Sequence, residues 1–191
     1  MTTNAFTICS WLWCGFLIVW LIWSFSAKPT QHREDISSRL SYVVLTVAGC
    51  YLMFAKDVPR DWLRIKLFSD NLGTAALGIA LTTAGIALAI WARAYLGSNW
   101  SGTVTVKVGH ELVRTGPYRW VRHPIYSGLI LAMLGTALAR REVRGLIAVL
   151  LLYAGFKIKS KIEEQTMVAT FGSQYSDYAR ETGAILPRLR R

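Results

Sequence analysis

Apolar residues along this chain gather into five runs parted by short polar stretches, rather than recurring with a helical or strand period. The first run, residues 6–27, carries no charge and holds Trp11, Trp13, Trp20 and Trp23. A helix needs about 20 mostly apolar residues to cross roughly 30 Å of hydrocarbon, so this run predicts a complete span. The residues before it contain no Lys or Arg, and the stretch is too long and too aromatic for a cleaved leader. It reads as a retained first span. Residues 40–55 form a shorter second run closed by Lys56 and Asp57, and residues 72–96 form the longest. Arg93 lies near the end of that third run, where its long side chain is expected to snorkel to the interface. Residues 125–139 and 145–156 are each marginal in length, and only the basic stretch 140–144 separates them. They predict a helical hairpin, fitted to the bilayer by flanking helical residues, local thinning or burial among other helices. The pattern predicts an all-α integral membrane protein of about five transmembrane helices.

Composition sharpens this. Hydrophobic residues make up 53% of the chain and charged ones 17%, against about 25% charged in an ordinary globular domain. The net charge of +11 raises the question of nucleic acid, but no basic residues form a soluble groove or recognition helix. Contact of flanking Lys and Arg with anionic headgroups accounts for it, so the partner is the lipid bilayer and not a nucleic acid. Cys9, Cys14 and Cys50 all lie inside apolar runs, without CxxC pairing or neighbouring His. They read as small hydrophobes, with no disulfide framework and no metal site.

With five spans, Lys and Arg number none, four and three in the N-terminal tail and residues 56–71 and 140–144. They number three, four and seven in residues 28–39, residues 97–124 and the tail from Lys157. Positive-inside then places the N-terminus outside, and residues 97–124 with the C-terminal tail in the cytoplasm. Asn99-Trp100-Ser101 matches a glycosylation sequon but falls on the cytoplasmic side, where it reads as chance.

The chemistry has to lie in those two cytoplasmic segments. The first holds Gly116-Pro117-Tyr118 and then Arg122-His123-Pro124-Ile125-Tyr126. Each proline pushes the residue before it towards extended geometry, so His123 is held in a non-helical entry to the fourth span. Pro124 suits the first turn of that helix, and Tyr126, three residues from His123, is placed to face the same pocket. From position alone, Arg122 and His123 serve equally as interfacial anchors, and Tyr118 and Tyr126 as members of an aromatic belt. The second segment continues the fifth helix through Lys157, Lys159 and Lys161 to Glu163-Glu164. Lys159 and Glu163 are spaced for a surface ion pair; alternatively, a carboxylate pair beside a membrane is suited to a cationic ligand. Gly172 then reads as a helix C-cap, followed by Tyr175 and Tyr178, spaced as packing residues.

Taken together, His110-Glu111-Leu112-Val113, Gly116-Pro117-Tyr118, Arg122-His-Pro-x-Tyr126, Glu163-Glu164, Phe171-Gly-x-x-Tyr175-x-x-Tyr178 and Leu186-Pro187 resemble the isoprenylcysteine carboxyl methyltransferase family. The arginine-histidine-proline and double-glutamate elements are shared with the wider set of membrane methyltransferases, phospholipid N-methyltransferases included. The resemblance covers residues 97–187, about half the chain. It implies a cytoplasmic cofactor-binding loop and C-terminal helical segment over the membrane, with S-adenosylmethionine as cofactor. Residues 1–96 then supply three spans, and residues 97–191 the methyltransferase region with hairpin 125–156 and a cytoplasmic tail. Carried over by position, His110, Glu111, Leu112 and Val113 meet the donor's adenosine end. Tyr118 and the group His123, Pro124, Ile125 and Tyr126 form the other wall, and Glu163 contacts the cofactor. Lys159 stands where the isoprenylcysteine enzymes place a substrate-associated Arg; it keeps the charge but not the fork that suits a carboxylate.

Methyl transfer from a sulfonium demands proximity and alignment more than a nucleophilic side chain, which agrees with the lack of a Ser/His/Asp set or a P-loop. A carboxylate acceptor needs no base; an amine would need one, with Glu164 and His123 as candidates beside Glu163 in a catalytic set. The first reading is therefore carboxyl O-methylation of a lipidated, isoprenylcysteine-like or hydrophobic acceptor entering from the bilayer. N-methylation of a phospholipid amine headgroup is the alternative, and a non-catalytic membrane protein retaining the fold is a third. Transport is disfavoured, because no charge lies at mid-span.

Overall fold

The computed structural model describes residues 4–25, 30–33, 36–97, 100, 105–107 and 112–188. Five long helices traverse it in alternating directions: α1 (Ala5–Ser24), α2 (Ile36–Phe54), α3 (Leu72–Leu96), α4 (Pro124–Arg140) and α5 (Val143–Phe171). A short α6 (Ser173–Glu181) follows. Helices α1 to α3 are each long and apolar enough to cross a membrane, and α4 is a shorter apolar helix. The predicted hairpin is present, and α5 runs on for fifteen residues past Phe156, which carries Lys159 and Glu163 beyond the apolar part. One departure from an all-helical reading is a two-stranded antiparallel ribbon of β1 (Thr30–Arg33) and β2 (Thr105–Lys107). Its backbone pairing joins the α1–α2 connection to the α3–α4 connection at one end of the bundle.

Small residues decide how the bundle closes. Helices in lipid gain little from burying apolar surface against one another, so close backbone approach carries their association. Gly78 and Gly85 on α3 face Gly128, Ala132 and Gly135 on α4; a Cβ at Gly85 would lie 2.3 Å from Ala132 N. Gly49 and Gly155 bring α2 and α5 together in the same way. Polar side chains cross-link this seam within the membrane. Trp13 Nε1 on α1 donates to Thr136 Oγ1 on α4 (2.9 Å), and that hydroxyl lies 3.2 Å from Thr82 Oγ1 on α3. Around the outside, Trp11, Leu17, Ile18, Leu21, Val44 and Val47 are exposed, the apolar belt expected against acyl chains.

Arg93 does not snorkel. It is buried, with Nη1 donating to Gly97 O (2.6 Å) and Nη2 to Trp23 O (2.9 Å). Its guanidinium also sits 4.5 Å from the ring centroid of Trp100. Both helix C-termini offer orphan carbonyls, and a cation that meets them is better placed there than in the headgroups. Arg93 thus fastens the end of α1 to the end of α3.

Candidate functional site

The site end of the bundle is organised by the two prolines. Gly116 opens a single 3-10 turn (Gly116–Arg119) at φ 58°, a conformation that favours glycine. A Cβ there would also strike the Tyr95 ring at 2.4 Å. Pro117 sits in the first positions of that turn, which buries Tyr118 with its hydroxyl donating to Ala92 O (3.3 Å). His123 is the N-cap of α4 with φ −124° and ψ 58°, and Pro124 follows at the first helical position. The irregular backbone at His123 is held from the C-terminal side. Arg122 N donates to Gly183 O (2.9 Å) and His123 N to Ala184 O (3.0 Å). Gly183 is obligatory for this crossing, since a Cβ would lie 1.8 Å from Leu186 O.

Helix α6 packs beneath. Tyr178 Oη donates to Tyr118 O (2.6 Å), Arg114 lies against the Tyr178 ring, and Tyr175 is buried beside it. Burial pushes the Tyr118 and Tyr175 hydroxyls far up and the Tyr178 hydroxyl to about 12. These tyrosines are neutral packing and donor groups, as their spacing suggests. Gly172 caps α5 at φ 55°, where the chain turns into α6.

The centre is a chain of charges between the start of α4 and the extension of α5. His123 Nδ1 lies 3.2 Å from Glu163 Oε2, and His123 Nε2 lies 3.1 Å from Glu164 Oε1. Tyr126 Oη donates to Glu163 Oε1 (2.6 Å). Arg122 places Nε and Nη2 on Glu164 Oε1, each at 2.9 Å, and its Nη1 on the carbonyls of Ala179 and Thr182. The Tyr126 ring stacks between His123 (5.4 Å, 6° between planes) and Phe156 (4.6 Å, 11°). The ammonium of Lys159 rests 5.3 Å from the Tyr42 ring centroid and 5.6 Å from that of Tyr126.

Two carboxylates on the two nitrogens of one imidazole are both satisfied only when both nitrogens carry protons. Burial alone would lower the His123 pKa; the hydrogen bonds and charges of Glu163 and Glu164 outweigh it and hold the ring above its ordinary 6.5. Burial likewise pushes Glu163 up, but His123, Lys159 and Tyr126 hold it below its ordinary 4.5. Glu164 is drawn down in the same way by His123 and Arg122. The signs fix a pH window. A raised histidine contributes stability that is complete below about 6.5 and lost as pH rises through the folded value, and the lowered carboxylates contribute above about 4.5. The thermal midpoint lead of the wild type over a His123→Ala variant is therefore expected to be greatest near pH 5–6 and to shrink at alkaline pH. A lead that is flat from pH 5 to pH 9 would show that the ring is not an imidazolium.

Of the residues expected in the site, Tyr118, His123, Tyr126, Lys159, Glu163 and Glu164 lie together. Pro124 and Ile125 are buried under the same corner, and Leu112 and Val113 lead into it half-buried. His110 and Glu111 lie outside the described residues. Sequence reasoning passed over Tyr42 and Phe156, whose rings line the site, and Ser127, whose hydroxyl donates to Ile185 O. Ser127 had a signal in its place one residue after the Tyr126 motif. Tyr42 had none, since one tyrosine near the start of an apolar run reads as an interface anchor.

Comparison with known proteins meets this geometry. The phospholipid methyltransferase family model matches residues 74–174, more than half of the chain. The chain is 30% identical over 129 residues to the protein-S-isoprenylcysteine O-methyltransferase of Saccharomyces cerevisiae, covering 64% of this chain and 54% of that protein. It is 35% identical to the methanethiol S-methyltransferase of Pseudomonas deceptionensis, covering 80% of this chain and 60% of that one. A solved structure of the eukaryotic intramembrane Ras methyltransferase, an isoprenylcysteine carboxyl methyltransferase, superposes with a TM-score of 0.56 at 26% identity over 78% of this chain and 50% of that one. The chain thus spans about half the length of the isoprenylcysteine enzymes it matches. The matched region holds the α4–α5 hairpin and both halves of the charge chain, and on these grounds the chain belongs to the phospholipid methyltransferase family, within which it resembles the isoprenylcysteine carboxyl methyltransferases.

Proposed function

We propose that this protein is a membrane methyltransferase that uses S-adenosylmethionine to O-methylate the carboxylate of a lipidated or hydrophobic acceptor. The observation that carries the reading is the carboxylate pair of Glu163 and Glu164 closed around a buried imidazole at the end of a membrane hairpin. An acidic pair that favours one buried cation is chemically fitted to hold another, which suits the charged donor. When bound, S-adenosylmethionine supplies an electrophilic methyl group on a sulfonium. Glu163 would hold the positive part of the donor, and the stacked faces of His123 and Tyr126, with Tyr118 beneath, would orient it. The stretch His110, Glu111, Leu112 and Val113 would meet its adenosine end. Lys159, beside Tyr42 on the membrane side, would hold the acceptor carboxylate. Glu164 acts through Arg122 and His123, bracing the corner rather than touching the reacting atoms. Both carboxylates sit below their ordinary range and His123 above its own. None is thereby poised to take a proton near neutrality, which favours an acceptor already deprotonated over an amine. The site end is assigned to the cytoplasm and the N-terminus to the outside, in line with the Lys and Arg balance.

The likeness to a methanethiol S-methyltransferase over 80% of this chain supports a second reading, in which the acceptor is a small thiol. One experiment separates the products. Membranes containing the protein are incubated with donor labelled in its methyl group, and the product is treated with mild alkali. Release of the label as methanol is expected for an ester. Label retained on an extracted phospholipid would mean an N-methylated headgroup, and a volatile thioether formed before alkali would mean the thiol; either would overturn the carboxylate assignment.

A further inference from the structure

At the end of the bundle away from the site, α1, α3 and α4 border a cleft of about 760 Å³ with the end of α2. Its walls carry Lys56, Lys66, Arg140 and Arg141 against two carboxylates, Asp70 and Glu142. Glu142 is already shared among Lys66 Nζ (2.8 Å), Arg140 Nε (3.2 Å) and Arg144 Nε (2.5 Å). Asp70 pairs with Arg141 (2.7 Å). The cations outnumber the acids they meet, so the cleft keeps a positive balance.

The backbone adds to it. Helices α1 and α3 both begin at this cleft, capped by the neutral side chains of Asn4 on Thr7 N (2.8 Å) and Asn71 on Thr74 N (2.9 Å). Their positive dipole ends therefore face the same space. Helix α2 ends here with the opposite polarity, but the Ala55 carbonyl accepts from Arg144 Nη1 (2.9 Å) and Arg140 Nη2 (3.4 Å). Beside Thr74, an apolar wall is made by Phe6, Phe54, Leu72, Ala75 and Leu138. Leu72 is 86% exposed, so this wall opens onto the lipid-facing surface.

We propose that this cleft binds the phosphodiester headgroup of an anionic phospholipid from the leaflet opposite the site. The phosphate lies among Lys56, Lys66 and Arg141, and the acyl chains leave over Phe6, Phe54 and Leu72. A soluble anion would use the charges but not the apolar wall continuous with the belt; a neutral lipid would use the wall but not the charges. Such a lipid adds a further tie among α1, α3 and α4 to the ion pairs and hydrogen bonds that already hold this end together, and it does so whatever the methyl acceptor proves to be.

The test uses the full chain, purified in detergent with phosphatidylglycerol or phosphatidylcholine added and read by native mass spectrometry. One retained phosphatidylglycerol per chain is expected, with little retention of phosphatidylcholine. A Lys56→Gln/Lys66→Gln variant is expected to weaken retention roughly thirtyfold, from about 1 kcal/mol for each basic residue near a charged headgroup. Ala75→Trp, which fills the cleft without changing charge, is expected to abolish it. Equal retention of the two lipids, or retention of phosphatidylglycerol unchanged in the charge variant, overturns the proposal. So does full displacement of the lipid by millimolar inorganic phosphate, which would mean a soluble-anion site. Should Ala75→Trp fail to fold, the lysine pair decides alone, because both side chains are exposed.

Discussion

Replacing Glu163 with Gln is expected to weaken S-adenosylmethionine binding about a hundredfold and to lower turnover by at least as much, while the protein stays folded. Among the described residues, Glu163 is the one carboxylate that meets His123, the Tyr126 hydroxyl and the charge of Lys159 together. Uncompensating a buried charge by removing its partner costs about 3–5 kcal/mol. The Glu163 side chain is 21% exposed, so a cation held there is worth somewhat less, about 2–3 kcal/mol, which is the stated factor. Stability should fall less, because Gln keeps the volume and still accepts from Tyr126. The discriminating control is Glu164→Gln. Glu164 takes two donors from Arg122, whose other nitrogen ties down the chain around Thr182. That variant is expected to lower the thermal midpoint more and donor affinity less. Equilibrium dialysis with labelled donor, set beside thermal melts of both variants, gives the comparison. Equal losses of affinity would mean that the pair acts as one structural brace, and unchanged affinity in Glu163→Gln would sink the donor assignment.

Much of this was legible in the chain because hydrophobic run length is a direct reading of bilayer thickness. The third run and α3 share their bounds, and the extension of α5 past Phe156 followed from helix-forming Lys and Glu directly after the apolar stretch. The pairing of His123 with Tyr126 was legible as well, because two prolines fix the chain geometry at one corner, whereas Glu163 joined them only through the resemblance to the family. What stayed hidden depends on partners distant in sequence. Arg93 looks like any interfacial cation until the ends of α1 and α3 prove to be adjacent, which supplies two carbonyls and an indole ring. The hydrogen bonds of residues 183 and 184 to residues 122 and 123 are made by backbone, and side-chain identity says nothing of them except at Gly183. Tyr42 was illegible for the same reason, since α2 reaches Lys159 only after it packs on α5 along Gly49 and Gly155.

The glycine seam explains why α1 and α3 matter to a site that α2 alone of the first three spans lines, through Tyr42, and it gives the largest expected effect on stability. In Gly135→Leu the new Cβ would lie 2.4 Å from Thr82 N and 2.5 Å from Gly78 O. Both obstacles are helical backbone, so no rotamer change relieves them, and α3 and α4 must separate. Separation also breaks the Thr82–Thr136 contact and the bond from Thr82 Oγ1 to Ala132 O. Overpacking in a close-packed interior costs about 1–3 kcal/mol where side chains can yield, and a backbone clash with lost buried hydrogen bonds puts the expected loss above about 4 kcal/mol. Gly85→Leu, facing Ala132 N and Gly128 O, should behave alike. Gly15→Leu on α1 is the matched control, because nothing lies within 4 Å of its Cβ position and the residue faces outward; its effect should stay within about 0.5 kcal/mol. Unfolding in detergent checks all three. If Gly135→Leu and Gly15→Leu melted together, α3 and α4 would not be in backbone contact. The corner would then rest on α6 and residues 183–184, because Tyr118 hangs from Ala92 on α3 while His123 and Tyr126 stand at the start of α4, and the close packing of those two helices would no longer keep them in one register.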